Sequence, residues 1–215
     1  EGGGQLTRVE VTEDLVRRAL KDEFRDDILR AALAKSTREE QVVFLRKVTE
    51  DFGLPNGSDK GSLFEALLAA QDRSLMRHAV LDQAALAKGR PPVHISRDRV
   101  VDLLGNDGTL IEVKAVKTAM GKEQMEQLQD YLEVAGKSGR VAGRDGAVRA
   151  KRIVYAFVEP EGVVANRTFI SKALDGGIVV RVYNRVGKAR DFTSSAGSTV
   201  DTVDAAIKFA QGYLR

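Results

Sequence analysis

The stretch RVVDLLGNDGTLIEVK, residues 99–114, decides how the second half of the chain folds. Two runs rich in Val, Leu and Ile flank the turn residues 106–108 (Asn-Asp-Gly), and this pattern predicts a β-hairpin. If these three residues form the loop, Asp102 lies directly opposite Glu112, and opposed side chains have Cβ atoms roughly 4.5–5.5 Å apart. Because side chains alternate along a strand, Lys114 shares the face of Glu112. A two-residue turn would instead shift the pairing by one residue and point Asp102 away from Glu112.

Two opposed carboxylates repel each other, so the predicted hairpin needs a compensating positive charge. Lys114 is one source, and a divalent cation is another, since Mg²⁺ typically uses one or two protein carboxylates with water and phosphate oxygens. We therefore interpret Asp102 and Glu112 as ligands of Mg²⁺ or Mn²⁺ and Lys114 as a catalytic amine. The alternative is an edge hairpin with solvated charges, because Glu-x-Lys on a strand often arises by chance.

Composition narrows the chemistry that the chain can support. The sequence has 215 residues, of which 43% are hydrophobic and 30% charged, as in an ordinary globular protein. It has no cysteine and only two histidines, His78 and His94, so thiol catalysis, Cys-based zinc sites and His-rich metal sites are excluded. Carboxylates, lysine or tyrosine must therefore carry any acid–base or metal chemistry. The net charge of +3 permits a polyanionic partner without requiring one.

The N-terminal sequence and the hydropathy pattern bear on targeting and on membrane insertion. The start EGGG has no basic segment followed by an apolar stretch, so it does not predict a secretory signal peptide. It resembles a linker, which suggests a piece of a longer chain. No run approaches the roughly 18 consecutive apolar residues of a membrane span.

The sequence pattern of the first part of the chain predicts helices. Residues 1–57 form a predicted N-terminal helical region, with Thr12 and then Ser36, paired with Glu39, as N-terminal caps. Turn-forming residues near 53–57 mark the best boundary, so residues 58–215 form the predicted main domain. Whether the first region folds separately or packs on the same core stays open at this point.

From residue 62 onward the pattern predicts alternating helices and strands. A capping box of Ser62 and Glu65 opens a long predicted helix that ends before Gly89. Beyond it we predict strands at 93–95, 100–104 and 109–116, a polar helix at 122–137, a Gly/Arg-rich loop, a strand at 153–158, a short helix at 167–174, a strand at 178–183, and a closing helix at 198–214 with Val200, Val203, Ile207 and Leu214 inward. This order predicts an α/β fold in which a mixed β-sheet is flanked by helices.

The hairpin and this order of elements resemble the PD-(D/E)XK nuclease superfamily, which has the restriction-endonuclease-like core. Asp102, Glu112 and Lys114 match the motif, although Val101 stands where the family name has proline. The resemblance covers about residues 62–185. It implies metal-dependent hydrolysis of phosphodiesters, with the backbone carbonyl of Val113 as a further metal ligand. It also suggests Glu65 as an upstream ligand, although its capping role is the favoured interpretation.

The polar helix at 122–137 extends the resemblance. Gln124, Gln127 and Tyr131 lie on one stripe of this helix. The Gln-x-x-x-Tyr spacing is similar to that of RecB-like members and implies contact with substrate or nucleophile. The alternative is a polar helix face with a half-buried tyrosine. Several basic side chains are candidates for contact with phosphates, and the alternative is that they are ordinary solvated surface charges. They are Lys117, Arg144, Arg149, Lys151 and Arg152.

The segments QLQDYLEVA (127–135), RIVYAFVEP (152–160) and GIVVRVYN (177–184) are similar to nuclease toxin domains at the C-termini of bacterial polymorphic and contact-dependent toxins. This similarity implies a domain that is delivered into the cytoplasm of a target cell, attacks DNA or tRNA, and is neutralised by an acidic immunity protein. One alternative is a phage, repair or restriction-type DNA endonuclease. Another is a binding module that keeps the fold without catalysis.

Overall fold

The computed structural model of the chain describes residues 22–53, 58–137, 140–143, 146–194 and 197–212. Its elements, in chain order, are α1 Asp22–Leu33, α2 Arg38–Asp51, α3 Ser58–Gln71, β1 Met76–Leu81, α4 Gln83–Ala87, β2 Arg99–Leu104, β3 Thr109–Lys114, α5 Lys122–Lys137, β4 Arg140–Gly143, β5 Gly146–Arg149, β6 Arg152–Phe157, α6 Pro160–Ala165, α7 Arg167–Asp175, β7 Val179–Tyr183, β8 Ala189–Phe192 and α8 Thr199–Ala210. Within these ranges no helix has both the length and the apolar character needed to cross a bilayer.

The strands of the described ranges form one mixed sheet of eight strands, in the order β5-β4-β1-β2-β3-β6-β7-β8. Strands β3, β6 and β7 run parallel, and the other neighbours pair antiparallel. One face of the sheet packs on α5, α7 and α8, and the other packs on α1, α2 and α3. The predicted α/β class, a mixed sheet flanked by helices, is confirmed.

The N-terminal helices pack on the same core as the rest of the chain. Ile28 of α1 and Leu45 of α2 belong to one buried cluster with Phe64 of α3 and with strand residues of the sheet. Arg46 of α2 donates hydrogen bonds to the backbone carbonyls of Val158, Tyr183 and Asn184, just beyond β6 and β7. The described part of residues 1–57 is therefore joined to the sheet by both apolar packing and hydrogen bonds.

The predicted helix caps of this region need correction. Helix α2 is capped by Thr37, whose side chain accepts a hydrogen bond from the backbone N–H of Glu40 at 3.1 Å, and not by Ser36. The predicted cap at Thr12 lies outside the described residues. Helix α3 begins at Ser58, so Ser62 lies inside the helix and does not cap it with Glu65.

The region between residues 72 and 95 folds differently from the prediction. The long helix ends at Gln71, and strand β1 follows at Met76–Leu81 because it pairs with β2 on both sides of His78. The predicted strand at 93–95 does not form: Val93 and Ile95 are buried and His94 is exposed, but this segment joins no ladder.

Two further predictions about the C-terminal half are wrong in part. The predicted Gly/Arg-rich loop contains strands β4 and β5, which form a hairpin at the edge of the sheet. The closing helix α8 buries Val203, as predicted, together with Ala206 and Phe209, whereas Val200 is 62% exposed. Leu214 lies outside the described residues. The remaining predicted elements after residue 99 have the predicted type.

Candidate active site

The hairpin of β2 and β3 has the register that a three-residue loop predicts. Leu103 pairs with Ile111, and Leu104 pairs with Leu110, which places Asp102 opposite Glu112. Gly108 closes the loop with φ +83°, a left-handed conformation that glycine adopts without steric cost. A Cβ at this position would also collide with the carbonyl oxygen of Arg149. The loop sequence therefore fixes the register on which the site depends.

The two strands separate next to Asp102. The β2–β3 ladder ends at the pair of Leu103 and Ile111, and the backbone N–H of Val113 donates instead to Oδ2 of Asp102 at 2.7 Å. In the same region the backbone N–H of Asp102 lies 3.4 Å from Oε2 of Glu112. The Asp102 carboxylate thus replaces a main-chain acceptor, and the separation of the strands opens a cleft in the sheet.

This cleft brings most of the predicted site residues together. It has a volume of about 270 Å³ and is lined by Gly61, Glu65, Asp102, Glu112, Val113, Lys114, Ala115, Val116, Met120 and Gln124. At roughly 30 Å³ per water molecule, this space holds about nine waters. That is enough for a hydrated divalent cation beside a phosphate group.

Gln127 of α5 connects the side chains of the Glu-x-Lys strand. Its Nε2 donates to Oε1 of Glu112 at 2.9 Å, and its Oε1 accepts from Nζ of Lys114 at 2.7 Å. The Lys114 amine also lies 3.8 Å from Oε1 of Glu112. Because α5 begins eight residues after Lys114, its first turns lie directly over the end of β3. The amine is therefore held beside the carboxylate but donates to a neutral oxygen.

Tyr131, one turn further along α5, fixes the other oxygen of Glu112. Its hydroxyl donates to Oε2 of Glu112 at 2.9 Å, and its side chain is buried. Burial, together with the neighbouring Glu112, raises the pKa of Tyr131 well above its usual value, so the hydroxyl stays a hydrogen-bond donor. The family resemblance implied contact with substrate, but neither Tyr131 nor Gln127 lines the cleft. Both position Glu112 and Lys114.

Carboxylates, not cations, surround Asp102. Burial, followed by the charges of Glu112 and Glu65, raises the pKa of Asp102 to about 9. A side-chain hydrogen bond with Glu65 raises the pKa of Asp102 further. Glu65 therefore belongs to the cleft and not to a helix cap, so the favoured interpretation of this residue was wrong. The sequence signal that identifies it is position, because a helix starting at Ser58 directs Glu65 onto the hairpin.

The donor set suits a hard divalent cation. Carboxylate oxygens and water are the ligands that Mg²⁺ and Mn²⁺ prefer, and the cleft offers the carboxyl groups of Asp102, Glu112 and Glu65. In the described ranges no three acidic, His or Cys side chains converge as a complete ligand set. An ion held by Asp102 and Glu112 would therefore keep several waters, as Mg²⁺ usually does.

Most of the predicted basic contacts lie away from the cleft. Lys117 follows β3 and lies 3.8 Å from Glu50. Arg149, Lys151 and Arg152 are exposed at the opposite end of β3, next to the Gly108 turn. Arg144 lies outside the described residues. None of the four described residues, Lys117, Arg149, Lys151 and Arg152, lines the cleft that contains the carboxylates.

Three residues that the sequence did not single out contact the site. The hydroxyl of Tyr155 lies 3.5 Å from Oε1 of Gln127, and its ring centroid is 5.6 Å from Nζ of Lys114. Tyr155 pairs with Glu112 in the parallel β3–β6 ladder, so a hydroxyl-bearing ring in an otherwise apolar strand was the available signal. Arg77 and His78 of β1 approach Glu65. They were hidden because β1 itself was not predicted.

Comparisons of the chain with protein-family models, with curated proteins and with solved structures give no match. The resemblance to the PD-(D/E)XK nucleases therefore stays a prediction, and the geometry of the site carries the functional argument.

Proposed function

We propose that the chain is a metal-dependent nuclease that hydrolyses phosphodiester bonds of DNA or tRNA. The observation that supports this most is the cleft itself, which is lined by Asp102, Glu112 and Glu65 together with the amine-bearing Lys114. A cluster of buried carboxylates that repel one another is costly, and proteins keep such clusters where charge compensation comes from a ligand. The PD-(D/E)XK family is the proposed family of the fold.

Asp102 and Glu112 would hold Mg²⁺ or Mn²⁺, with the carbonyl of Val113 and the carboxylate of Glu65 as further candidate ligands. A bound divalent cation supplies a Lewis acid that lowers the pKa of a water and offsets charge on the phosphate. Lys114 orients the attacking water or donates to the phosphoryl oxygen that gains charge. Gln127 orients this amine by accepting its hydrogen bond, and Tyr131 fixes the rotamer of Glu112.

The biological setting follows from the similarity to bacterial toxin domains. In that setting the chain is the nuclease domain of an effector delivered into a target cell, and an acidic immunity protein blocks it in the producing cell. A phage, repair or restriction-type nuclease uses the same chemistry, and a binding module uses the same fold without it. Toxicity on expression in the absence of a partner gene would favour the toxin interpretation over a binding module, which does not cleave nucleic acid.

Cleavage assays test the chemistry directly. Purified protein is incubated with plasmid DNA and with total tRNA, in Mg²⁺ and in EDTA. We expect metal-dependent cleavage of one substrate, and we expect Lys114→Ala to reduce its rate by about 10²–10³-fold, the usual cost of removing one group that stabilises the transition state. Lys47→Ala, on the exposed face of α2, is the matched control and should cleave as the wild type does.

Two results would contradict this function. Full activity of Lys114→Ala would remove the proposed mechanism. Binding of nucleic acid without turnover in Mg²⁺ and in Mn²⁺, as in EDTA, would instead support the inactive binding module.

A further inference from the structure

Strand β1 has an unusual backbone beside the candidate metal ligand. His78 has φ +59°, and within the described ranges it is the only residue other than glycine with a positive φ. The ladder with β2 includes Arg77 with Leu103 and Ala79 with Val101, but it omits His78 and Asp102. Strained conformations of this kind persist where the surrounding structure imposes them, and they cluster at functional sites. The strain at His78 lies next to Asp102.

The two side chains at this position flank Glu65 and keep donors to spare. Nη2 of Arg77 and Nε2 of His78 each lie 3.4 Å from Oε2 of Glu65. Nη2 of Arg77 also donates to the hydroxyl of Ser62 at 3.3 Å. No described residue accepts from the buried Nε of Arg77. The Arg77 side chain is 34% exposed and that of His78 is 59% exposed.

These contacts are long for a structural ion pair. By comparison, the buried pair of Arg99 on β2 and Asp130 on α5 has a distance of 2.7 Å. Distances of 3.4 Å lie beyond the usual range for charge-assisted hydrogen bonds. The Arg77 guanidinium therefore lies beside Glu65 without all of its donors being occupied, and the exposed imidazole of His78 lies beside the same carboxylate oxygen.

We propose that Arg77 and His78 form a subsite that binds a backbone phosphate of the nucleic acid, next to the phosphate that is cut. This inference rests on the proposed nuclease function. A cleft with three carboxylates repels a polyanion, and Lys114 is the one cation lining it among the described residues. The exposed Arg149, Lys151 and Arg152 lie at the other end of β3, so the positive charge nearest to Glu65 comes from β1. Arginine and imidazole N–H groups are good donors to phosphate oxygens.

Binding assays in an inactive background test the subsite separately from cleavage. In Lys114→Ala, the affinity for fluorescently labelled DNA and RNA oligonucleotides is measured by anisotropy over a range of salt concentrations. We expect His78→Gly to raise the Kd about three- to tenfold. We expect Arg77→Gln to raise it about tenfold and to reduce the salt slope by about 1, as for the loss of one phosphate contact.

The thermal stability of the same variants separates a ligand role from a structural one. Glycine adopts a positive φ freely, so His78→Gly should have a Tm equal to or above that of its parent. Weaker binding without a lower Tm is the result expected of a binding residue. His94→Gly, at the other histidine of the chain, lies in an exposed segment away from the cleft and should not change the Kd.

Three outcomes would overturn the proposal. Unchanged Kd values for both β1 variants would leave nucleic-acid binding intact and remove the subsite alone. A fall in Tm that accompanies weaker binding of His78→Gly would show that His78 is structural. Failure of Lys114→Ala to bind either oligonucleotide would instead count against the nuclease function on which the subsite rests.

Discussion

Strand β2 contributes one residue to each of two buried charge clusters, and the two clusters differ in how their charges are compensated. In the first, which we call the Arg99 cluster, Asp130 accepts hydrogen bonds from the backbone N–H and hydroxyl of Ser96 and from Nε of Arg99, all at 2.7–2.8 Å. In the second, the carboxylate cluster of Glu65, Asp102 and Glu112, the neighbours of Asp102 are carboxylates. Asp102 follows Arg99 by three residues on the same strand.

The difference shows which cluster serves the fold and which serves the site. A buried charge is tolerated when opposite charges and hydrogen bonds surround it, and the Arg99 cluster meets that requirement within the chain. In the carboxylate cluster the opposite charges lie further away: the amine of Lys114 donates to Gln127 and lies 3.8 Å from Glu112, and Arg77 lies 3.4 Å from Glu65. Strand β2 thus carries Arg99 in a cluster with close opposite charges and Asp102 in a cluster whose neighbouring charges are carboxylates.

Removal of Arg99 should give the largest change in stability. In Arg99→Met the carboxylate of Asp130 stays buried without its cation, and breaking such a pair costs about 3–5 kcal/mol. Chemical denaturation measures the loss of free energy of unfolding. Cleavage per folded molecule should be unchanged, because the Arg99 cluster does not line the cleft.

The control for this prediction is Arg97→Met. Arg97 pairs with Glu123 at 3.0 Å, but both side chains are exposed, so the loss should stay within about 0.5 kcal/mol. Equal losses for the two arginine variants would mean that the Arg99 cluster contributes no more than a surface ion pair.

Most of the carboxylate cluster could be predicted from the sequence, because the spacing of residues within neighbouring elements determines it. A three-residue loop with glycine at its last position fixes the register of Asp102 and Glu112, and alternation then fixes Lys114. The helical period of α5 brings Gln127 and Tyr131 to the same oxygen atoms, with Tyr131 buried on Glu112 at 2.9 Å. Each step needs only the spacing within one or two adjacent elements.

The sequence did not predict strand β1, because this strand depends on contacts between segments that are distant along the chain. Residues 76–81 read as helix because Leu75 and Leu81 continue an apolar period, and only pairing with β2 makes them a strand. The side chain of Asp72, which accepts from the backbone N–H of Ser74 at 3.0 Å, was a local stop signal that went unused. Arg77 and His78 reach the site from this strand, so their positions became visible only in three dimensions, whereas the family resemblance had suggested Glu65 as a candidate ligand.

Metal should stabilise the carboxylate cluster in a pH-dependent way. Because the folded-state pKa of Asp102 is raised to about 9, the folded chain keeps a proton that the unfolded chain loses above its usual pKa, and stability declines as the pH rises between the two values. A cation displaces that proton, so Mn²⁺ should raise the Tm more at pH 8 than at pH 6. At 100 times the Kd, the gain is about 2.7 kcal/mol.

The specificity of this effect is checked by two aspartate variants. Asp102→Asn should lose the metal-dependent rise in Tm, whereas Asp26→Asn, on the exposed surface of α1, should keep it. A rise in Tm that is the same at both pH values would show that the cation binds elsewhere.

The smallest effect, and the sharpest comparison, comes from the same substitution in both clusters. Without metal at pH 8, Asp102→Asn removes a carboxylate that its neighbours disfavour, so the free energy of unfolding should rise by at least about 1 kcal/mol, the equivalent of one pKa unit. Asp130→Asn should lower it, because Arg99 then stays buried without its counter-charge. Activity should be lost in the stabilised variant and kept in the destabilised one. If both variants lose stability alike, the charge of Asp102 is already compensated within the chain, and the carboxylate cluster is structural.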